Sequence, residues 1–170
     1  MSMPRDITAA VLTCSDRCSR GLASDESGPA LVEILQNQLA AEILATTCVA
    51  DDATLIAQQL RAWATDHPKP DLILTTGGTG LSPRDVTPEA TIAVLERRHP
   101  GLLELARLRC FPKTPKAYLS RGEAGTLDRS LIINLPGAPR GAREFLEALL
   151  DILPHAIETL RGEAHEKDSL

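Results

Sequence analysis

Aromatic side chains are nearly absent: one Trp, one Tyr and two Phe make up 2% of the 170 residues. A surface that stacks successive bases of single-stranded nucleic acid needs more rings than that. An excess of basic charge is absent too, because the net charge is -5. No general field therefore draws nucleic acid or an anionic membrane surface, and any polyanion must meet a local basic site. No apolar run nears the roughly 20 residues of a bilayer span. The start, Met1-Ser2-Met3-Pro4-Arg5-Asp6, has neither the apolar core nor the cleavage site of an export signal. A cytoplasmic protein is expected. The four cysteines (Cys14, Cys18, Cys48, Cys110) form no C-x-x-C pair and the four histidines are scattered, so no protein-bound zinc, haem or disulfide framework is expected.

What is present is a core of Leu, Ile, Val and Ala arranged in alternating short and helical periods. Ile7 to Thr13, Glu42 to Val49, Asp71 to Thr76 and Ser130 to Leu135 read as strands. The third is nearly continuous in apolar and β-branched residues, as in a parallel sheet covered on both faces. Helices are predicted from Ser27-Gly28-Pro29 to about Ala41, from Asp51-Asp52 through Trp63, and from Thr87-Pro88-Glu89 to about Arg98. Further helices are predicted from Leu102 to about Arg109 and, as one long element, from about Arg140 to Arg161. In these predictions Ser27 and Thr87 act as helix caps, and Cys110 to Arg129 is irregular. The expected fold is an α/β three-layer sandwich, αβα, with a largely parallel sheet. It forms a single domain over residues 1–162, with a polar, disordered tail at 163–170.

Ligands of such sheets bind beyond the carboxyl ends of the strands, where Cys14 to Gly28, Gly77 to Thr87 and Pro136 to Pro139 should converge. Gly77-Gly78-Thr79-Gly80 lacks a β-carbon at three of four positions, so its N–H groups can approach a phosphate closely. It matches neither the P-loop nor the dinucleotide fingerprint, and a plain tight turn remains the alternative. The following Ser82-Pro83-Arg84-Asp85 adds a cation for phosphate oxygens and a carboxylate for Mg²⁺. Asp51-Asp52 ends the second strand, where a helix cap and a metal-facing carboxylate are both open readings. Residues 107–129 carry Arg107, Arg109, Lys113, Lys116, Arg121 and Arg129 against Glu123 and Asp128, either a solvated basic loop or a local anion field. Trp63 and Phe145 sit at core spacing, and Cys14 and Cys18 lack the spacing of a metal pair.

Taken together, Thr76-Gly77-Gly78-Thr79-Gly80, Arg84-Asp85 and Thr87-Pro88-Glu89 resemble the signature of the molybdopterin-binding domain of molybdenum cofactor biosynthesis proteins. The resemblance extends, in order over about residues 7–161, to Thr13-Cys14-Ser15-Asp16-Arg17, Asp25-Glu26-Ser27-Gly28-Pro29, Leu119-Ser120-Arg121 and Ile133-Asn134-Leu135-Pro136-Gly137-Ala138-Pro139. Within that superfamily the adenylyltransferase branch is the most similar. The resemblance implies transfer of AMP from Mg-ATP to the terminal phosphate of molybdopterin, with release of pyrophosphate. It implies Asp51 and Asp85 as catalytic carboxylates holding Mg²⁺ through the ATP phosphates. Ser15, Asp16, Ser120 and Arg121 would lie on the pterin side, and Gly77, Gly78, Thr79, Gly80, Leu135, Pro136 and Gly137 on the nucleotide side. It also implies a homotrimer, and the length of the chain implies hand-over of the product to a separate molybdenum-insertion protein. The alternatives are a molybdopterin carrier without transferase activity and an unrelated nucleotide or sugar-phosphate enzyme on the same sheet.

Overall fold

Alternation of side chains along the strands builds the core. In β1 (Thr8–Cys14), Ala9 and Val11 point to one face of the sheet and Leu12 and Cys14 to the other. β3 (Leu72–Thr76) and β6 (Ser130–Leu135) repeat the alternation, with Leu72, Leu74, Ile133 and Leu135 on the first face and Ile73 and Ile132 on the second. Residues buried on both faces need a helical layer on each side. Here α2 (Ser27–Leu39), α5 (Pro100–Cys110), α6 (Pro139–Glu147) and α7 (Leu153–Arg161) cover the first face, and α3 (Ala53–Thr65) and α4 (Thr87–Ile92) the second. The computed structural model describes residues 6–163. All but the first residue of the tail expected at 163–170 lies outside the described residues.

The sheet has six strands in the order β2-β1-β3-β6-β5-β4, with β2 at Glu42–Val49, β4 at Arg97–Arg98 and β5 at Ala124–Leu127. The first four are parallel, as expected, but β5 and β4 pair antiparallel and make the sheet mixed. The chain leaves β1 toward β2 on one side and returns to β3 on the other, so the topology reverses between β1 and β3. A crevice forms beyond the strand ends at such a reversal.

Several expectations are corrected. The helix predicted over 140–161 is two helices: Pro154, in the first turn of α7, has no N–H and cannot continue a helix from before it, so the chain turns at 148–152. The helix from Thr87 ends at Ile92, because Glu96 N–H donates to Thr126 O at 2.9 Å and draws the chain into the sheet edge at β4. The irregular stretch contains a 3-10 turn at Pro115–Leu119 and strand β5. Neither predicted hydroxyl cap operates. The residues in the cap positions are Glu26 and Val86, and the hydroxyls of Ser27 and Thr87 bond elsewhere, as described below.

Candidate active site

The loop after β3 is pressed against the end of β1. Gly77 has φ +99° and a β-carbon there would lie 2.2 Å from Cys14 O; Gly78 has φ +65° and a β-carbon would lie 2.4 Å from Thr87 Oγ1 and 3.1 Å from Asp51 Oδ1. Both positions exclude other residues by conformation and by space. The sequence requirement for glycine is thus a requirement for contact between the two loops that flank the topological reversal.

The carbonyl groups of residues 77–80 and 135–137 are all engaged. Thr87 Oγ1 donates to Gly77 O at 2.9 Å, Thr87 N to Gly78 O at 3.1 Å, Arg121 N to Thr79 O at 2.8 Å and Arg121 Nε to Gly80 O at 2.8 Å. Gly77 N donates to Leu135 O at 3.3 Å, Thr76 Oγ1 to Pro136 O at 2.7 Å and Ser27 Oγ to Gly137 O at 2.6 Å. Among the described residues, the N–H groups of Gly78, Thr79 and Gly80 have no such partner. The crevice therefore presents donors, the polarity that suits an anion.

Beside this cradle lies a cluster of carboxylates. Asp16 and Asp51 clasp each other: Asp16 N donates to Asp51 Oδ2 at 3.0 Å and Asp51 N to Asp16 Oδ1 at 3.0 Å. Arg84, exposed, reaches across from the β3–α4 loop and donates to Asp16 Oδ2 from Nη2 at 2.6 Å and from Nε at 3.1 Å. That contact holds the Asp16 carboxyl below its ordinary range. Asp51 is shifted the other way, by burial first and then by the like charges of Asp16 and Asp85, against the lowering effect of the Asp16 backbone bond. Its Oδ1 is the buried side-chain atom without a hydrogen-bond partner among the described residues. An orphaned buried carboxylate oxygen in the field of Asp16 and Asp85 fits a cation, and Asp51 and Asp85, which line the same cavity, are the residues able to hold one. They supply too few protein ligands for a closed metal site: among the described residues no three His, Cys, Asp or Glu gather in a metal-binding arrangement. A Mg²⁺ ion shared with a ligand's phosphates needs only one or two carboxylates.

Two cavities meet at Gly78, Asp85 and Gly137. One, of about 330 Å³, is lined by Ser15, Cys18, Asp51 and Gly77 among others. The other, of about 720 Å³, runs past Thr79, Gly80 and Ser120 to Lys113, Lys116 and Arg140. Ser15 and Ser120, assigned to one side by resemblance, thus line different cavities, and Ser120 shares its cavity with the glycine loop. Ser120 Oγ donates to Thr79 Oγ1 at 3.3 Å. Arg121 is a clamp: besides its bonds to the glycine loop, Nη2 donates to Asp85 O at 2.8 Å, and Nη1 pairs with Glu89. Leu135 turns its side chain into the core and offers the site only its backbone. Asp52 is the cap of α3, accepting from Thr54 N at 2.8 Å and Leu55 N at 3.0 Å, which leaves Asp51 for the crevice.

Sequence reasoning passed over Ser27, Thr87 and Asp25 as site-building residues. Asp25 accepts from Thr13 Oγ1 at 2.6 Å and from Gly28 N at 2.9 Å, tying the β1 loop to α2. It also left Lys113 and Lys116 undistinguished from their basic neighbours. Arg107 and Arg109 are engaged with the chain itself, through Ser120 O and Gly122 O and through Ala148 O and Asp151. The two lysines make no ion pair among the described residues and face the larger cavity. Their position just before Leu119-Ser120-Arg121 was the available signal.

A sheet covered on both faces, with its reversal opening into a donor-lined crevice, defines an α/β ligand-binding domain of the doubly wound class. The family described as the probable molybdopterin binding domain matches residues 10–155. The chain belongs to this family of molybdenum cofactor biosynthesis proteins. It is 42% identical over 153 residues to the molybdopterin adenylyltransferase of Helicobacter pylori (strain ATCC 700392 / 26695), a match covering 89% of this chain and 86% of that protein. It is 46% identical over 158 residues to gephyrin of Dictyostelium discoideum, covering 86% of this chain but 21% of that much longer protein. The crystal structure of the molybdopterin biosynthesis enzyme MoaB of Thermus thermophilus superposes with a TM-score of 0.86 at 50% identity, covering 92% of this chain and 97% of that one.

Proposed function

We propose that the protein is a molybdopterin adenylyltransferase, transferring AMP from Mg-ATP to the terminal phosphate of molybdopterin. The observation that carries this reading is the buried, partnerless Asp51 Oδ1, set beside Asp85 and the open N–H groups of Gly78, Thr79 and Gly80. A bound cation relieves the charge of a carboxylate that is disfavoured where it stands, and Mg-ATP supplies such a cation.

The terminal phosphate of the pterin is an anionic nucleophile already. An oxygen of that group forms a bond to the α-phosphorus of ATP while the bond from that phosphorus to the bridging oxygen breaks, and pyrophosphate departs with the electron pair. Such a reaction needs alignment and charge neutralisation, not a general base. The glycine-loop N–H groups hold phosphate oxygens, Lys113 and Lys116 balance charge along the larger cavity, and Ser15 and Ser120 orient the two ligands from opposite sides of Asp85. Asp51 and Asp85 are the residues that would hold Mg²⁺, which when bound neutralises developing phosphate charge. A homotrimer and hand-over of the adenylylated product to a separate molybdenum-insertion protein complete the proposal.

Incubation with molybdopterin, ATP and Mg²⁺, followed by mass spectrometry, tests it. Adenylyl-molybdopterin and pyrophosphate appearing only with Mg²⁺ is the expected result. Pterin bound without AMP transfer would establish the carrier instead, and no pterin binding would remove both.

A further inference from the structure

Asp85 belongs to a turn with few ties to the rest of the fold. Within it, Asp85 N donates to Ser82 O at 2.9 Å and Ser82 N to Asp85 Oδ2 at 3.0 Å, and residues 81–84 are exposed. These bonds shape the turn but anchor it to nothing. Among the described residues, the backbone hydrogen bonds that tie residues 80–85 to other parts of the chain come from a single side chain. Arg121 Nε donates to Gly80 O and Nη2 to Asp85 O, each at 2.8 Å. Those two carbonyls begin and end the turn, so one planar guanidinium spans its mouth. Nη1 pairs with Glu89 on α4, which sets the fork against the helix that follows. The remaining tie, from exposed Arg84 to Asp16, ends on α1 (Asp16–Ser19), a single turn that buries none of its residues.

A second arginine stands behind the first. Arg107, on α5, donates from Nε to Ser120 O and from Nη2 to Gly122 O, both at 3.1 Å. The residues on either side of Arg121 are thereby held to a helix that is itself fixed in the core by Leu102, Leu103 and Ala106. Gly122 lies close against the sheet, where a β-carbon would come within 2.9 Å of Asn134 O. Support for the turn therefore runs from α5 through Arg107, residues 120–122 and Arg121 to Asp85. Neither cavity is lined by Arg121, although Ser120 lines the larger one. Asp51 and Asp85 stand on different loops, after β2 and after β3, so their separation depends on what holds the Asp85 turn.

We propose that Arg121, supported by Arg107, is a positioning residue that fixes Asp85 relative to Asp51 and the glycine loop and touches neither ligand. Its effect on turnover rests on the proposed function; the tether itself does not. Three of the five guanidinium N–H groups are engaged with Gly80, Asp85 and Glu89, and the role uses their fixed, planar fork rather than their charge. Lysine carries the same charge on one compact nitrogen and cannot span the same three acceptors. An arginine acting as part of an anion-attracting field tolerates replacement by lysine, whereas a positioning arginine does not.

The test compares the full chain with Arg121→Lys and Arg107→Lys. Without ligand, amide exchange at Ser82 and Asp85 should quicken in both variants, more so in Arg121→Lys. With molybdopterin and Mg-ATP, Arg121→Lys should lower kcat by about a hundredfold, with the Kd of molybdopterin held within about twofold. The Mg²⁺ concentration giving half the maximal rate should rise severalfold. Arg107→Lys should repeat this pattern to a smaller degree, about tenfold in kcat. A raised Kd for molybdopterin with kcat retained would make Arg121 a ligand contact and overturn the proposal, as would unchanged exchange at Ser82 and Asp85. Should Arg121→Lys fail to fold, the same readouts on Arg107→Lys decide. Were the unsubstituted protein to transfer no AMP, the proposed function would fail, while exchange at Ser82 and Asp85 still decided the tether.

Discussion

Two aspartates at opposite ends of the same sheet are treated in opposite ways. Asp71, just before β3 at the amino end, accepts from Thr8 N at 2.9 Å, Thr8 Oγ1 at 2.8 Å, and Arg161 Nε and Nη2 at 2.9 and 2.6 Å. Its side chain and that of Arg161 are 12% and 8% exposed. Asp51, at the carboxyl end, keeps one buried oxygen with no partner. Burial raises both carboxyls; Arg161 and Thr8 bring Asp71 below its ordinary range, and nothing does so for Asp51. A saturated carboxylate holds the α7 end to the sheet, whereas an unsaturated one stays available to a ligand. Stability and function are thus segregated along the strand axis.

The comparison breaks most visibly through turnover. Asp85→Ala or Asp51→Ala is expected to lower the Mg-dependent transfer rate by about a thousandfold, several kcal/mol of transition-state stabilisation. Steady-state assays with pterin binding measured in parallel check this; unchanged turnover sinks the metal role. At the other end, Arg161→Met leaves Asp71 buried without its cation and should destabilise the fold by about 3–5 kcal/mol, read by urea unfolding, while turnover per folded molecule is retained. Gly78→Ala meets both a positive φ and Thr87 Oγ1, and a loss of about 1–3 kcal/mol is expected, with transfer activity falling as well.

The pH response separates the two aspartates by sign. Asp71 has a lowered folded value, so its contribution is present above the ordinary aspartate range and is lost as the pH falls through that lower value. Asp51 has a raised folded value, so the native state holds the extra proton and stability declines as the pH rises from the ordinary to the raised value. Unfolding series from about pH 3 to pH 6 should show Asp71→Asn losing the first slope and Asp51→Asn losing the second. Arg84→Ala, at an exposed pair, is expected to leave stability nearly unchanged and to weaken Mg-ATP binding only modestly in calorimetry.

The parallel half of this molecule could be read from its sequence because each strand is a run of β-branched and aliphatic residues whose burial is decided locally. Leu72–Thr76, buried at every position, is the clearest example. Elements decided by distant partners were hidden. Arg97–Arg98 has no alternation to betray a strand and becomes one only because Thr126 and Gly125 lie opposite. Apolar residues at Phe145, Leu146, Leu149, Leu153 and Ile157 keep a helical spacing through the turn at 148–152, and that spacing masked the warning of Pro154. In the site, the glycine loop and Asp85 were visible as residue types in a short stretch, whereas the choice of Asp51 over Asp52 came from the family resemblance. The roles of Ser27 and Thr87 were not visible: a hydroxyl before a helix has the same local chemistry whether it caps that helix or bridges to Gly137 or Gly77. Arg121 likewise carries its charge openly in the sequence, yet its clamp on the glycine loop depends on a neighbour some forty residues away.

The engaged carbonyls of the two site loops have a kinetic meaning. With the oxygens of Gly77, Gly78, Thr79, Gly80, Leu135, Pro136 and Gly137 already bonded to other parts of the fold, an arriving phosphate displaces only water. No internal bond has to rupture and no dipole has to swing round, so the reorganisation was completed when the chain folded. On the proposed function, encounter with the ligand is expected to be set by diffusion and charge, with the cradle keeping its shape when the phosphate arrives.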